Sequence, residues 1–192
     1  MILVIDTSSA VSTLAMIDPD SARRDELTFN ARETPLRMQF PYFSPGRSWT
    51  KVAVATGPGS FTGLRVGVSF GLGLAMGFGI PIVPLPTLDI QAARSDEPVT
   101  AVVDAGRGRY CFKVPGDKRP RLGEPAAIPT SHDLVGNIAD RRSLVAGGHR
   151  FKPDGELRSF VQAVEILLRT AREVPYRNLE IEYMQSFSSP KP

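Results

Sequence analysis

Two aspartates at the ends of apolar runs have the clearest chemistry to offer. Asp6 closes the run Ile2-Leu3-Val4-Ile5, and Asp104 closes Val99–Val103. At such a position in a nucleotide-binding fold, an aspartate can orient a metal-bound water or a phosphate. Its plainer use is to accept a hydrogen bond from the turn beyond it. A third feature is the loop Gly57-Pro58-Gly59-Ser60-Phe61-Thr62. It opens a helical pattern and so sets backbone N–H groups at a helix start, where an anion can sit. The loop carries neither the lysine of a P-loop nor a G-x-G-x-x-G pattern.

Other catalytic constellations are missing from the sequence. The two histidines, His132 and His149, stand far apart, and no His-x3-His or Cys/His cluster occurs; that argues against a dedicated metal site. Ser60 follows Gly59, but Pro58 stands where a nucleophile elbow needs its first glycine. Cys111 is the single cysteine, which excludes an intrachain disulfide and suits a reducing compartment. Between Tyr110 and Phe112 it reads as a buried, inert thiol.

The elements that must position these residues are set by the pattern. Met1–Thr7, Ser12–Ile17 and Glu26–Phe29 read as strands, with Asp18-Pro19-Asp20 as a turn. Over residues 30–49 the periodicity is broken by Pro35, Pro41 and Pro45. Thr34 offers a cap with Pro35 at the first helical position, and Pro41 should end that helix within two turns. Lys51–Thr56 and Ile80–Leu85 are strands flanking a helix that runs to about Gly79, and Thr87 offers a cap to a helix over Leu88–Ala93. After a compositional shift at Ser95–Pro98, Val99–Val103 and Arg109–Val114 repeat the opening plan of strand, aspartate, small turn, strand. This is a weak internal repeat at half the chain length. Thr130–Ala139 is expected to be helical, Ser143–Ala146 a strand, and Leu157–Glu173 an amphipathic helix. In that helix Val161, Val164, Leu167, Leu168 and Ala171 point inward, and Glu165 and Arg169 pair on the surface. Ile181–Met184 reads as a last strand and Ser186–Pro192 as a frayed tail.

The helix after Gly57 is the sharpest feature. At about 100° per residue, Gly73, Gly77, Gly63, Gly67 and Gly71 share one arc of about 160°. A glycine inside a helix costs ~1 kcal/mol relative to alanine, so five in one helix imply close approach of another backbone. Leu64, Val68, Leu72, Ala75 and Met76 fill the opposite side. A helix apolar nearly all round is buried nearly all round: one face should meet its own sheet and the other a partner.

Composition narrows the classes. The chain has 192 residues, 42% of them hydrophobic, enough for a sizeable core. A net charge of +3 does not announce a nucleic-acid binder. The cationic run Arg107, Arg109, Lys113, Lys118, Arg119, Arg121 offers a weak phosphate-facing patch, and its plainer reading is a solvated surface. Arg65 to Asp89 holds no charge between its ends, long enough for a membrane span, but Pro81 and the glycines argue against one. The opening run ends at Asp6 without a positive flank, so no secretion signal is expected.

The segment Gly57-Pro58-Gly59-Ser60-Phe61-Thr62-Gly63-Leu64-Arg65-Val66-Gly67 closely resembles the hallmark of the TsaB (YeaZ) family. Members supply a subunit of the bacterial machinery that makes threonylcarbamoyladenosine in tRNA. Ile5-Asp6-Thr7-Ser8 resembles the family's phosphate-turn motif. Pro86-Thr87-Leu88, and Val103-Asp104-Ala105-Gly106-Arg107 with Tyr110, resemble its later landmarks. The likeness covers residues 1–114 apart from 30–49, where the family carries a longer helix. Near the end, where the family often shows Pro-x-Tyr-x-Arg, Tyr183 alone is kept.

The resemblance implies an α/β chain of actin/hexokinase/Hsp70-like (ASKHA, ribonuclease H-like) fold with two lobes, the second reduced. The lobes would be residues 1–97, with the interface helix, and residues 98–192. It implies a non-catalytic, cytoplasmic paralogue of TsaD that pairs with TsaD through Gly63, Leu64, Gly67, Val68, Phe70, Gly71 and Leu74. A TsaE-like ATPase joins the pair, and tRNA is reached through the complex. The sequence leaves monomer and homodimer open for the chain alone, where a glycine-faced helix with no partner would seek its own copy. Asp6, Thr7, Ser8, Gly57, Gly59, Ser60 and Asp104 become a vestigial phosphate-binding set, with no metal or resident cofactor. Two readings compete: an autonomous ATPase or kinase-like enzyme holding phosphates and magnesium at Asp6, Thr7, Ser8 and Asp104, and a glycoprotease-like (M22-type) peptidase homologue.

Overall fold

A computed structural model describes residues 1–21, 23–30, 33–43, 46 and 48–183. The first sheet contains β1 (Ile2–Asp6), β2 (Val11–Ile17), β3 (Arg24–Asn30), β4 (Lys51–Gly57) and β5 (Ile82–Pro86), in the order β3-β2-β1-β4-β5. Strands β1, β2 and β3 pair antiparallel, whereas β4 and β5 run parallel to β1. Successive side chains alternate between faces. Leu3, Ile5, Leu14, Met16, Val52 and Val54 therefore build one core, and Val4, Ala15, Ile17, Ala53 and Ala55 build the other. Burial on both faces is why β1 and β4 read as unbroken apolar runs.

Two helices cover the first face: α1 (Leu36–Phe43) and α2 (Phe61–Phe78). Residues 33–43 thus hold a helix that tolerates Pro41 within it and ends two residues later. It is pinned by packing, since Phe40 meets the rings of Phe70 and Trp49. Pro45 lies outside the described residues. Helix α2 is capped at Ser60, whose Oγ accepts from Gly63 N–H, and closes at Gly79 in the left-handed region. The other face is covered by α3 (Thr87–Ala92) and, from much later in the chain, α5 (Phe160–Leu168). Thr87 does not cap α3; its hydroxyl accepts from Gly57 N–H at 3.2 Å and ties the glycine loop to the start of α3.

The second sheet contains β6 (Thr100–Gly106), β7 (Arg109–Lys113), β8 (Arg121–Gly123) and β9 (Leu134–Val135), in the order β8-β7-β6-β9. Its pairing repeats the first sheet through the fourth strand: antiparallel β6–β7 and β7–β8, parallel β6–β9. The internal repeat is therefore structural.

Several expectations fail here. Residues 130–139 form β9 and turns, not a helix. Gly136 explains this: a Cβ there would overlap Val102 O, so the chain is pressed flat on β6. Residues 143–146 belong to a helical turn, α4 (Arg142–Ala146), not a strand. Leu144 alone is buried while Val145 faces solvent, and a short apolar run cannot by itself choose between the two states. The cationic run is divided. Arg107 and Arg109 lie at the β6–β7 turn, and Lys118 and Arg119 beyond the far end of β7. Lys113 pairs with Asp89, and Arg121 with Asp117.

The C-terminal helix, from beyond residue 98, packs on the first sheet. Val161 and Val164 of α5 sit in the core of the first sheet. Glu165 takes a two-pronged pair from Arg24 of β3, at 2.6 and 2.5 Å, rather than pairing with Arg169. The next segment crosses to the opposite face: Val174 bridges Ile82, and Val174, Tyr176, Leu179 and Ile181 join the α2-side core. Residues 181–183 form no strand; Met184 and the tail 186–192 lie outside the described residues.

Candidate functional site

The site forms where the turn after β1 meets the glycine loop and the first turns of α2. Asp6 Oδ1 accepts from Ser8 N–H at 2.8 Å, closing the turn on itself. Ser8 O then accepts from Ser60 N–H at 2.7 Å, and the Thr7 hydroxyl donates to Gly63 O at 2.6 Å. The glycines make this contact achievable. A Cβ at Gly59 would overlap Ser8 O, one at Gly63 would overlap Thr7 O, and one at Gly67 would overlap Thr7 Oγ1. Gly57, at φ +109°, would set a Cβ 2.6 Å from Glu182 O. The polar groups of this turn are thus engaged within the chain. Asp6, Thr7 and Ser8 are all buried, and burial pushes the Asp6 carboxyl above its ordinary 3.8.

Asp104 is not brought into this site. It stays exposed on the second sheet, where its Oδ1 accepts from Gly106 N–H at 2.7 Å. Both aspartates cap the turn two residues on. Cys111 is buried, with its thiol pushed up to about 12 by desolvation, so it is no ready nucleophile. Among the described residues, no three His, Cys, Asp or Glu side chains gather as a metal site.

Helix α2 turns the whole predicted interface set toward the chain's own core. Leu64, Gly67, Val68 and Gly71 are buried against the chain's own sheet, with Gly63 half-buried on the Thr7 backbone. A Cβ at Gly71 would overlap Val54 Cγ1. Phe70 and Leu74 are half-buried within the same core. These seven residues therefore pack within the chain, Gly63, Phe70 and Leu74 only in part. The outward face is Thr62, Arg65, Val66, Ser69, Gly73, Met76 and Gly77, all exposed. A Cβ at Gly73 or Gly77 would have nothing within 4 Å. The glycine arc thus splits at its middle: three positions allow contact with the sheet, and two leave bare backbone facing out. The helix is long and apolar enough to cross a membrane by length and composition, and its inner face lies on β1, β4 and β5.

Sequence reasoning missed one cluster. Tyr183 packs against Phe61, with ring centroids 5.2 Å apart, and Arg65 lies 3.9 Å over the Phe61 ring while donating from Nε to the Tyr183 hydroxyl. Glu182 N–H donates to Thr56 O, extending the glycine loop's cover. At the other end of α2, the Tyr176 hydroxyl reaches both Ala75 O and Ile80 O. The kept tyrosine near the chain's end was the signal available for the first contact. For the second there was none beyond an aromatic in a proline-flanked stretch.

Comparison with known proteins identifies the relatives. The family model described as "TsaD: tRNA N6-adenosine threonylcarbamoyltransferase" matches residues 47–147. The Bacillus subtilis (strain 168) tRNA threonylcarbamoyladenosine biosynthesis protein TsaB is 30% identical over 118 residues, covering 56% of this chain and 52% of that protein. The Haemophilus influenzae protein of the same name is 41% identical over 66 residues, covering 32% and 28%. The matched stretches thus span about half the length of these curated relatives, or less. Two structures from Pseudomonas aeruginosa, one of YeaZ and one of a protein similar to peptidase YeaZ, superpose with TM-scores of 0.70 and 0.71. Each is 17% identical; they cover 94% and 96% of this chain, and 99% of each of those chains. The fold is therefore that of the YeaZ structures, and its mixed α/β sheets are consistent with the actin/hexokinase/Hsp70-like class.

Proposed function

The chain belongs to the TsaD family, in its TsaB (YeaZ) branch, and from that premise we propose that it serves tRNA threonylcarbamoyladenosine biosynthesis as a non-catalytic partner subunit. In this reading it pairs with a TsaD-like catalytic subunit and positions it for threonylcarbamoyl transfer to the adenosine 3′ of the anticodon. A TsaE-like ATPase joins the pair, tRNA is reached through the complex, and the work is done in the cytoplasm.

The observation that carries the reading is the outward face of α2. Val66 is 47% exposed and Met76 58%, beside the bare Gly73 and Gly77. An apolar stripe with open backbone lets a second helix approach closely. The buried turn at Asp6, Thr7 and Ser8 supports the same reading, because its hydroxyl and carbonyl groups are bonded within the chain rather than turned to a substrate. When the catalytic subunit is lacking, the same face would pair two copies of this chain.

The test is co-purification with the TsaD-like subunit, wild type against Gly73→Leu. A leucine there meets open space in the isolated chain, so the fold should survive while pairing is lost. Unchanged pairing would remove α2 from the interface. Gly67→Leu does not serve, because it strikes Thr7 inside the chain. Depletion should lower threonylcarbamoyladenosine in ANN-decoding tRNAs, and normal levels would overturn the assignment. Titration with ATP and magnesium addresses the rival reading: tight binding with turnover by the isolated chain would favour an autonomous nucleotide enzyme.

A further inference from the structure

A second feature lies away from α2, where the end of α3 meets β9 and the segment 151–157. A cavity of about 240 Å³ opens there, walled by Arg94, Asn137, Arg141, Phe151, Lys152 and Asp154, among others. At ~30 Å³ per water it has room for about eight. Its cations are not equally engaged. Lys152, 8% exposed, donates to Glu97 at 2.7 Å and pairs with Glu156 at 3.4 Å. Arg94 uses Nε on Arg158 O and Nη1 on the Gln91 side-chain oxygen. Arg141 lies 4.3 Å over the Phe151 ring. Among the described residues, neither Arg94 nor Arg141 has a carboxylate within 4.0 Å.

Both guanidinium groups line the one cavity, and Asp154 and Glu26 draw on Arg94 without forming an ion pair with it. Desolvation is the largest influence on Arg94, holding it below its ordinary 12.5. A cation taken partly out of water with no carboxylate paired to it directly is unfavourable. An oxyanion held in the cavity would give both arginines the ion-pair partner they lack, and planar guanidinium groups suit the oxygens of a phosphate.

We infer that this cavity binds a small oxyanion, inorganic phosphate or a small phosphate monoester, between Arg94 and Arg141. The site stands independently of the pairing face on α2. The test is calorimetric titration of the full chain with sodium phosphate and with glycerol 3-phosphate at constant ionic strength. Saturable one-to-one binding is expected, weakened about tenfold in Arg141→Gln and in Arg94→Gln. It should be unchanged in Arg142→Gln, whose side chain is 91% exposed on Asp140. Tighter binding of glycerol 3-phosphate would assign a monoester, and equal or weaker binding would assign phosphate itself. Absence of saturation overturns the proposal, as does equal weakening by Arg141→Gln and Arg142→Gln, which would indicate general charge attraction. Should Arg94→Gln fail to fold, Arg141→Gln decides alone, because the Arg141 side chain rests on the ring of Phe151 rather than in the core.

Discussion

The turn after β1 is roofed by α2, whereas the matching turn after β6 is open to solvent. The local chemistry is the same in both: an aspartate at a strand end accepts the N–H two residues on. The difference lies beyond the fourth strand of each sheet. Seven-residue β4 leads through the glycine loop into eighteen-residue α2, while two-residue β9 leads to five-residue α4. Sheet topology therefore sets the turn, and the helix after the fourth strand sets whether the turn can be reached. In the second sheet that helix is too short to roof anything, and the chain continues into α5, which covers the first sheet instead.

The largest effects should come from filling the glycine contacts that close each sheet. Gly67→Ala drives a Cβ into Thr7 Oγ1, and Gly136→Ala drives one into Val102 O. Each should lower unfolding stability by about 3 kcal/mol in urea titrations. Gly73→Ala, on the same helix as Gly67 but facing open space, should gain about 0.5–1 kcal/mol. A neutral Gly67→Ala would mean that the roof over the Asp6 turn is loose.

The next test separates the roofed turn from the open one. Thr7→Val removes the hydroxyl that donates to Gly63 O and leaves that carbonyl without this donor, at a cost of about 1–2 kcal/mol. Asp104→Ala removes a cap on an exposed turn and should cost only about 0.5 kcal/mol. Equal losses would erase the distinction between the two turns.

How far the sequence made this distinction legible depends on the range over which each signal acts. Periodicity and strand-end aspartates report local geometry, so both turns, the core strands and α2 could be read directly. The arc of glycines reported that α2 has bare sides without saying which neighbour each side meets. Only the placement of Thr7 and Val54 splits Gly67 and Gly71 from Gly73 and Gly77. The second sheet was harder because its elements are short. Leu134–Val135 and Arg142–Ala146 are below the length at which a period can be measured. Gly136 is held by a non-local contact with Val102. The return of α5 to the first sheet, through Glu165 and Arg24, joins residues 141 apart, and no local pattern carries that information.

A smaller effect concerns charge. Burial holds the Asp6 carboxyl above 3.8, so over that window the folded chain keeps a proton that the unfolded chain has released. Stability then falls as pH rises from about 3.8 through the raised value. Asp6→Asn keeps an oxygen for Ser8 N–H and removes the titration, so its stability should decline less than wild type across that window. Parallel profiles from thermal melts at stepped pH would show that the roof does not desolvate the carboxyl.

The finest difference lies in two hydroxyls that are buried without a hydrogen-bond partner among the described residues, Ser12 Oγ on β2 and Thr100 Oγ1 on β6. A buried hydroxyl left unmatched has lost its water for nothing in return. Replacing it with an apolar group of similar shape should be neutral or stabilising, by up to about 1 kcal/mol. Ser12→Ala tests this under the full cover of the first sheet, and Thr100→Val tests it beside the short β9, where residue 100 pairs with Leu134. If both variants gain equally, the two sheets are equally dry, and the contrast between them is confined to the turns. If Ser12→Ala gains while Thr100→Val loses stability in the same denaturant titration, water reaches the second core. The short fourth strand would then leave not only the Asp104 turn open but also the sheet beneath it.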